Sequence, residues 1–459
     1  MTLSLDGAPS VLATSVSGRS EPLEPAVLQR SLRRDLGFWL CMAGLVLSCF
    51  AGHWRDVHVP VPVDRVLLIL GLLIEWRRAF RARELPRLTT ASVLLLAAAA
   101  WAGLSFVGSP VRSSEGLFFL VDLYVLPAVL FISAPILLGT RQRRFAFAAT
   151  FTVFGVYLGL TAITQTLKIP ALVFPSYILD PAVGIHIDRA RGPYVEAVND
   201  GIMLIFSGTL GGFVATVARS PRWRAAGAAC ALLTAIGCAL TLTRSIWFAG
   251  AAVLLVALAL VPGLRRRLPV VLVGIAVLAG VFLLVFPDFA TAATARGESQ
   301  SPIWDRLNVN AAALRMAIQE PLFGVGWNQA GLRMSEFIRM GSDYPVTAAS
   351  ANLIPHNVVL GRFAELGVPG ASLWIAGVIA AVVLPVLRRA RPGFGAWRVV
   401  LLCFTLCWLI VAMFGPVNYS EPSYLLYLVG GVAALGRARQ PVPWDWRPRA
   451  AAHRGAHRG

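Results

Sequence analysis

The chain has 459 residues, 57% hydrophobic and 14% charged, with a formal net charge of +18 and a mean hydropathy of +0.69. That balance excludes a soluble globular domain, a disordered chain and a disulfide-stapled secreted domain. It fits a multi-span helical membrane protein, because about twenty apolar residues cross a bilayer core.

Residues 1–36 are mixed and polar, without the uninterrupted apolar stretch of a signal peptide. They read as a cytoplasmic N-terminal tail. Apolar runs then place spans near 37–53, 65–80, 89–108, 116–137, 145–167, 196–218, 225–242, 245–263, 269–287, 355–386, 397–415 and 420–436. The expected fold is an all-α integral membrane protein with about 12 transmembrane helices. Residues 37–287 hold the first nine and 355–437 the last three. Between helices 9 and 10, residues 288–354 form a large helical extracytoplasmic loop, and 438–459 form a cytoplasmic C-terminal tail. In the loop, Ser301 to Glu320 has helical character, stops at Pro321 and leads into the Gly324-Val325-Gly326 turn. A second long external segment covers 168–195. Loops of this length usually carry function.

The arginines test the span assignment. All but Lys168 of the 41 basic residues are arginine, and they crowd alternate loops. Arg77, Arg78, Arg81 and Arg83, then Arg141, Arg143 and Arg144, then Arg265, Arg266 and Arg267 fall on one side. Arg55, Arg65, Arg112 and Arg244 fall on the other. Cationic loops stay cytoplasmic, so both termini are expected there, in an inner membrane. The basic excess is then a topology signal and an attraction to anionic membrane lipids, with no nucleic acid as partner. Cys41, Cys49, Cys230, Cys238, Cys403 and Cys407 all lie in apolar runs and read as packing thiols, not disulfides or metal ligands.

Three groups of polar residues reach the outer face in this topology. His186, Asp188, Arg189, Arg191 and Glu196 precede the sixth span. Arg244 sits in the tight turn Thr241–Ser245. Pro355, His356 and Asn357 open the tenth span, with Arg362 and Glu365 inside it. Pro355 suits a first helical turn. His356 would then sit at the positive end of the helix dipole, which disfavours imidazolium and leaves a neutral base. On a continuous helix Phe363, Gly367 and Gly370 share its face, and the glycines admit a close neighbour. Glu365 lies deeper, with Arg362 one turn away as partner. Arginines at outer span ends suit a lipid diphosphate. They equally suit phospholipid heads or Asp188. Asp122 reads either as a counter-charge to a site arginine or as a helix–helix pin. No Gly-rich phosphate loop, Cys/His cluster or Asp-x-Asp pair occurs, so neither metal nor cofactor is expected.

Four segments together resemble the O-antigen ligase and O-antigen polymerase superfamily. They are Arg189 to Asn199, Leu240 to Ser245, Trp304 through Pro321 to Gly326, and Pro355-His-Asn with Glu365-Leu-Gly-Val-Pro-Gly370. They stand in the family's order, and the resemblance runs over roughly 30–437. It implies a metal-independent, inverting glycosyltransferase on the outer face of the cytoplasmic membrane. Such an enzyme takes a polyprenyl-diphosphate-linked glycan as donor and a glycan or glycolipid acceptor hydroxyl. By motif position, Arg189 or Arg191 together with Arg244 would hold the diphosphate, and His356 would be the base. Glu196, Asn199, Asn357, Arg362 and Glu365 would contact substrate. Ligase and repeat-unit polymerase remain alternatives. A secondary transporter is the reading from another class, although transporters concentrate charge near the bilayer midplane.

Overall fold

The computed structural model describes residues 35–59, 61–261, 301–339, 354–388, 393–415 and 418–435, plus single positions between 265 and 294. The described residues are helical throughout their regular structure. In chain order the helices are α1 Leu36–Leu47, α2 Val63–Ala82, α3 Thr90–Gly108, α4 Ser114–Leu138, α5 Arg141–Thr166, α6 Ala197–Val217, α7 Pro221–Leu240, α8 Arg244–Leu260, α9 Ser301–Gln319, α10 Val358–Leu387, α11 Gly395–Phe414 and α12 Ser420–Leu435.

Seven of these, α3 to α7, α10 and α11, are long and apolar enough to cross a bilayer, while Leu36–Phe50 and α8 are shorter apolar helices. The expected count of twelve is not reached among the described residues. Helix α2 carries Asp64, Arg65, Glu75 and three further arginines, and α12 has 16 residues. The span expected at 269–287 lies, apart from single positions, outside the described residues. So do the tails and the remaining parts of 288–354.

Local chemistry sets the helix ends. The Thr89 and Thr140 hydroxyls cap α3 and α5 by accepting the N–H groups of Ser92 and Arg143, and Pro221 opens α7 at the position where its missing N–H costs nothing. Arg144 donates to the carbonyls of Leu138 and Gly139 at the end of α4, where a cation also suits the helix dipole.

Small residues let the helices approach. A Cβ at Gly211 or Gly227 would meet backbone of the facing helix at 2.9 or 2.4 Å, so α6 and α7 touch backbone to backbone. Helix α1 pairs with α2, α12 with α4, α8 with α11, and α10 with both α3 and α9. All six cysteines are free and buried.

Two buried charge groups pin the bundle. Arg143 of α5 binds Glu75 of α2 at 2.9 Å and Asp35 at 2.9 Å. Asp122 accepts from Arg65, from Ser420 at 3.0 Å and from Tyr424 at 2.8 Å. It therefore joins α2, α4 and α12, which decides its role as a helix–helix pin. Its place in the π-helical turn Val121–Val125 widens the helix there. Tyr424 is 1% exposed, with its hydroxyl held inside the bundle by Asp122.

Candidate functional site

Helices α5, α7 and α11 end, and α6, α8, α10 and α12 begin, at one end of the bundle. The three polar groups meet there through named contacts. The Gln165 side chain, near the end of α5, donates to Arg189 O at 2.8 Å and accepts from Arg191 N at 3.2 Å. Ala190 N–H donates to Leu240 O at 3.1 Å. The Arg189–Arg191 segment is thus tied to the last residue of α7, four residues before Arg244. The turn expected at Thr241–Ser245 is present. Leu242 adopts φ +47°, and Trp247 Nε1 donates to Ala239 O at 3.1 Å across the turn.

Arg191 is fully occupied by the protein. Its Nε and both terminal nitrogens donate to the carbonyls of Ile178, Asp180, Val183 and Ile185 at 2.6–3.4 Å. That uses all five guanidinium N–H groups, and the residue is 0% exposed. Burial pulls its pKa below the usual arginine value, with Asp180 opposing. In this conformation Arg191 shapes the 170–195 segment, with all its guanidinium donors engaged by backbone carbonyls. Arg189, two residues away, is the one that neighbours Glu196.

Glu196 caps α6 by accepting Asn199 N–H at 2.7 Å. Its carboxylate also accepts from the Tyr419 hydroxyl. The Asn199 side-chain oxygen is buried without a hydrogen-bond donor. Next to Tyr419, the Asn418 side-chain oxygen accepts from Arg362 at 3.0 Å. The residues 418–419 therefore bridge the Arg189/Glu196 group to α10.

Helix α10 departs from the expected continuous span. It begins at Val358, not at Pro355. Asn357 is the N-cap and accepts Leu360 N–H at 3.1 Å, so His356 precedes the cap instead of lying in the first turn. Helix α9 holds His356, whose N–H donates to Asn310 Oδ1 at 3.1 Å. The helix then breaks at Gly367, where φ is 66° and ψ −175°, two residues before Pro369. A proline here has no N–H and crowds the carbonyl four residues back. The freed groups find partners outside the helix. Ala364 O accepts from Val325 at 2.8 Å, Pro321 O accepts from Val368 at 2.7 Å, and Leu366 O accepts from Trp101 Nε1 at 3.0 Å. The Pro321–Gly326 turn thus fills the break. Broken spans are tolerated in membranes where protein re-satisfies the backbone. Gly370 does pack closely, against Trp101.

The pair expected inside this span forms. Arg362 Nη1 meets Glu365 Oε2 at 3.0 Å, with side-chain exposures of 6% and 14%. Tyr124, Trp327 and Trp374 surround the guanidinium at 5.5, 5.1 and 5.8 Å, an aromatic box that stabilises a desolvated cation. Asn328 N–H donates to Glu365 as well. Glu365 thus balances the Arg362 charge within this aromatic box.

Two contributors escape a reading by sequence. Arg306 of α9 lies within electrostatic reach of Arg244 at the start of α8. Burial, and then the Arg244 charge, push its pKa down. Arg306 and Asn310 are one turn apart on α9, so they share a face. The second is Asn310 itself, which ties His356 to that face. The only signal in the sequence is the i, i+4 spacing of Arg306 and Asn310, among other polar residues of the same helix.

Residues 229–375, about a third of the chain, match the family model described as O-antigen ligase. The match supports membership of the O-antigen ligase superfamily. It takes in Arg244, Arg306, Asn310, His356, Arg362 and Glu365, and leaves Arg189, Arg191, Glu196 and Asn199 outside. No curated protein matches the chain.

Proposed function

We propose that this membrane protein transfers a glycan from a polyprenyl diphosphate carrier to an acceptor hydroxyl, on the outer face of the cytoplasmic membrane. The observation that carries this reading is that Asn310 of α9 holds the His356 N–H, one turn from Arg306, which feels the Arg244 charge. An anion is favoured where several guanidiniums converge, and arginine suits phosphate oxygens. Arg189 supplies a third cation from the joined 189–191 segment. As the glycosyl–oxygen bond breaks, negative charge grows on the leaving diphosphate. Fixed guanidiniums stabilise it without reorganisation, so no metal is required. His356 accepts the proton of the acceptor hydroxyl as that oxygen attacks the anomeric carbon, an aid of typically about 10²–10⁴-fold. In-line attack inverts the anomeric centre.

Arg191 and the Arg362–Glu365 pair hold the site's shape in this scheme. Asn199 and Asn357, each at the start of a helix lining the site, are the polar contacts for sugar, and Glu196 orients Arg189. The family match supports a ligase- or polymerase-type reaction in general; we favour ligase, with repeat-unit polymerase as the second reading. The test is His356→Ala and Arg244→Ala in purified protein. The first should abolish transfer and keep donor binding; the second should weaken donor binding. Full transfer by His356→Ala would remove the base assignment.

A further inference from the structure

Helix α9 is apolar on two opposite faces, and the protein covers one of them. At 100° per residue, Val309, Ala312, Ala313 and Met316 form the inner face, buried with Val325, Met334, Phe337 and Ala364. Leu307, Leu314 and Ile318, at i, i+7 and i+11, share the opposite side and are 47%, 48% and 68% exposed. Leu322 and Phe323 extend that stripe, 65% and 67% exposed. A contiguous exposed stripe of this size marks an interaction surface.

The stripe runs into the apolar wall of a membrane-length helix. The Phe323 ring stacks on Trp101 of α3, 5.8 Å between centroids and 5° between planes. One turn from Trp101, Leu104 is 69% exposed, and Val107 is 60% exposed, on a helix apolar enough to cross a bilayer. Arg306 and Asn310 flank the stripe on one edge, and Arg315 and Gln319 on the other. Apolar residues between basic ones, continuous with a membrane-length helix, match a helix lying in the plane of a phospholipid surface.

We infer that α9 docks on the leaflet at this end of the bundle, with Leu307, Leu314, Ile318, Leu322 and Phe323 among the phospholipid acyl chains. Arg306 then stands at head-group depth. This placement is independent of the transfer chemistry, because its test needs no substrate.

The test uses nitroxide labels on the full chain, in L314C, I318C and Q319C variants, in phosphatidylcholine–phosphatidylglycerol vesicles. All six native cysteines are buried, and labelled wild-type protein gives the blank. Collision with oxygen reports lipid, and collision with a water-soluble nickel chelate reports water. Labels at 314 and 318 should favour oxygen severalfold, while the label at the polar position 319 favours nickel. Nickel access at 314 and 318 equal to that at 319 would overturn the inference. So would shielding of 314 and 318 from both reagents, which reports a protein cover, whether another part of this chain or a second copy.

Discussion

Substituting Gly367 tests whether the break in α10 is built into the fold. At φ 66° and ψ −175° the backbone lies in a region essentially reserved for glycine, costing about 1–3 kcal/mol for any other residue. An alanine Cβ would also stand 2.5 Å from the Leu322 carbonyl and 2.8 Å from Phe323 N. Both are backbone atoms of the turn that fills the break. Relief requires that turn to move and release the 2.7 Å bond from Val368 to Pro321, worth about 1 kcal/mol. Gly367→Ala should therefore cost roughly 2–4 kcal/mol in total. Gly361, six residues earlier on the same helix, is the internal control. Its nearest new neighbour is Pro355 Cβ at 3.5 Å, and Gly361→Ala should be neutral or stabilise by about 0.4–1 kcal/mol. Equilibrium unfolding in mixed micelles, followed by tryptophan fluorescence against SDS fraction, measures both. Equal midpoints for the two variants would show that α10 runs straight through Gly367 and that the Pro321–Gly326 turn does not fill it.

Removing one member of the buried Arg362–Glu365 pair leaves an uncompensated charge. Arg362→Met alone should destabilise by about 3–5 kcal/mol, and the Arg362→Met, Glu365→Met double variant should recover most of it. A double variant as unstable as the single would deny the pairing, read by the same SDS titration. Arg191→Gln removes donors that hold four carbonyls together, so it should raise the rate of limited proteolysis within 170–195. Arg189→Gln should leave that rate at the wild-type value and weaken donor binding instead. Reversed effects would return the phosphate to Arg191.

The helical class was legible because composition and apolar run length determine it. Charges were rare enough in the apolar background that Arg189, Arg244, His356, Arg362 and Glu365 stood out. Their assembly was legible only as a shared bundle end. Arg191 shows the limit: beside Arg189 it looks equivalent, and only the tertiary path of 178–185 turns four carbonyls toward it. The break in α10 shows another. Gly367, Pro369 and Gly370 announced irregular backbone, but apolar periodicity continues through them and favoured an unbroken helix. That continuity also placed His356 inside a helical turn which Asn357 begins. Arg306 was hidden among forty arginines, since its neighbour Arg244 is 62 positions away in sequence.

The most direct measurement is release of polyprenyl diphosphate by the purified protein from a polyprenyl-diphosphate oligosaccharide, in EDTA, with and without candidate acceptors. The account predicts acceptor-dependent release in EDTA, lost in His356→Ala. The accepting molecule, a glycolipid core or a second lipid-linked repeat, then separates ligase from polymerase. No release with any acceptor, from folded protein that still binds the donor, would contradict glycan transfer and return the chain to the transporter reading.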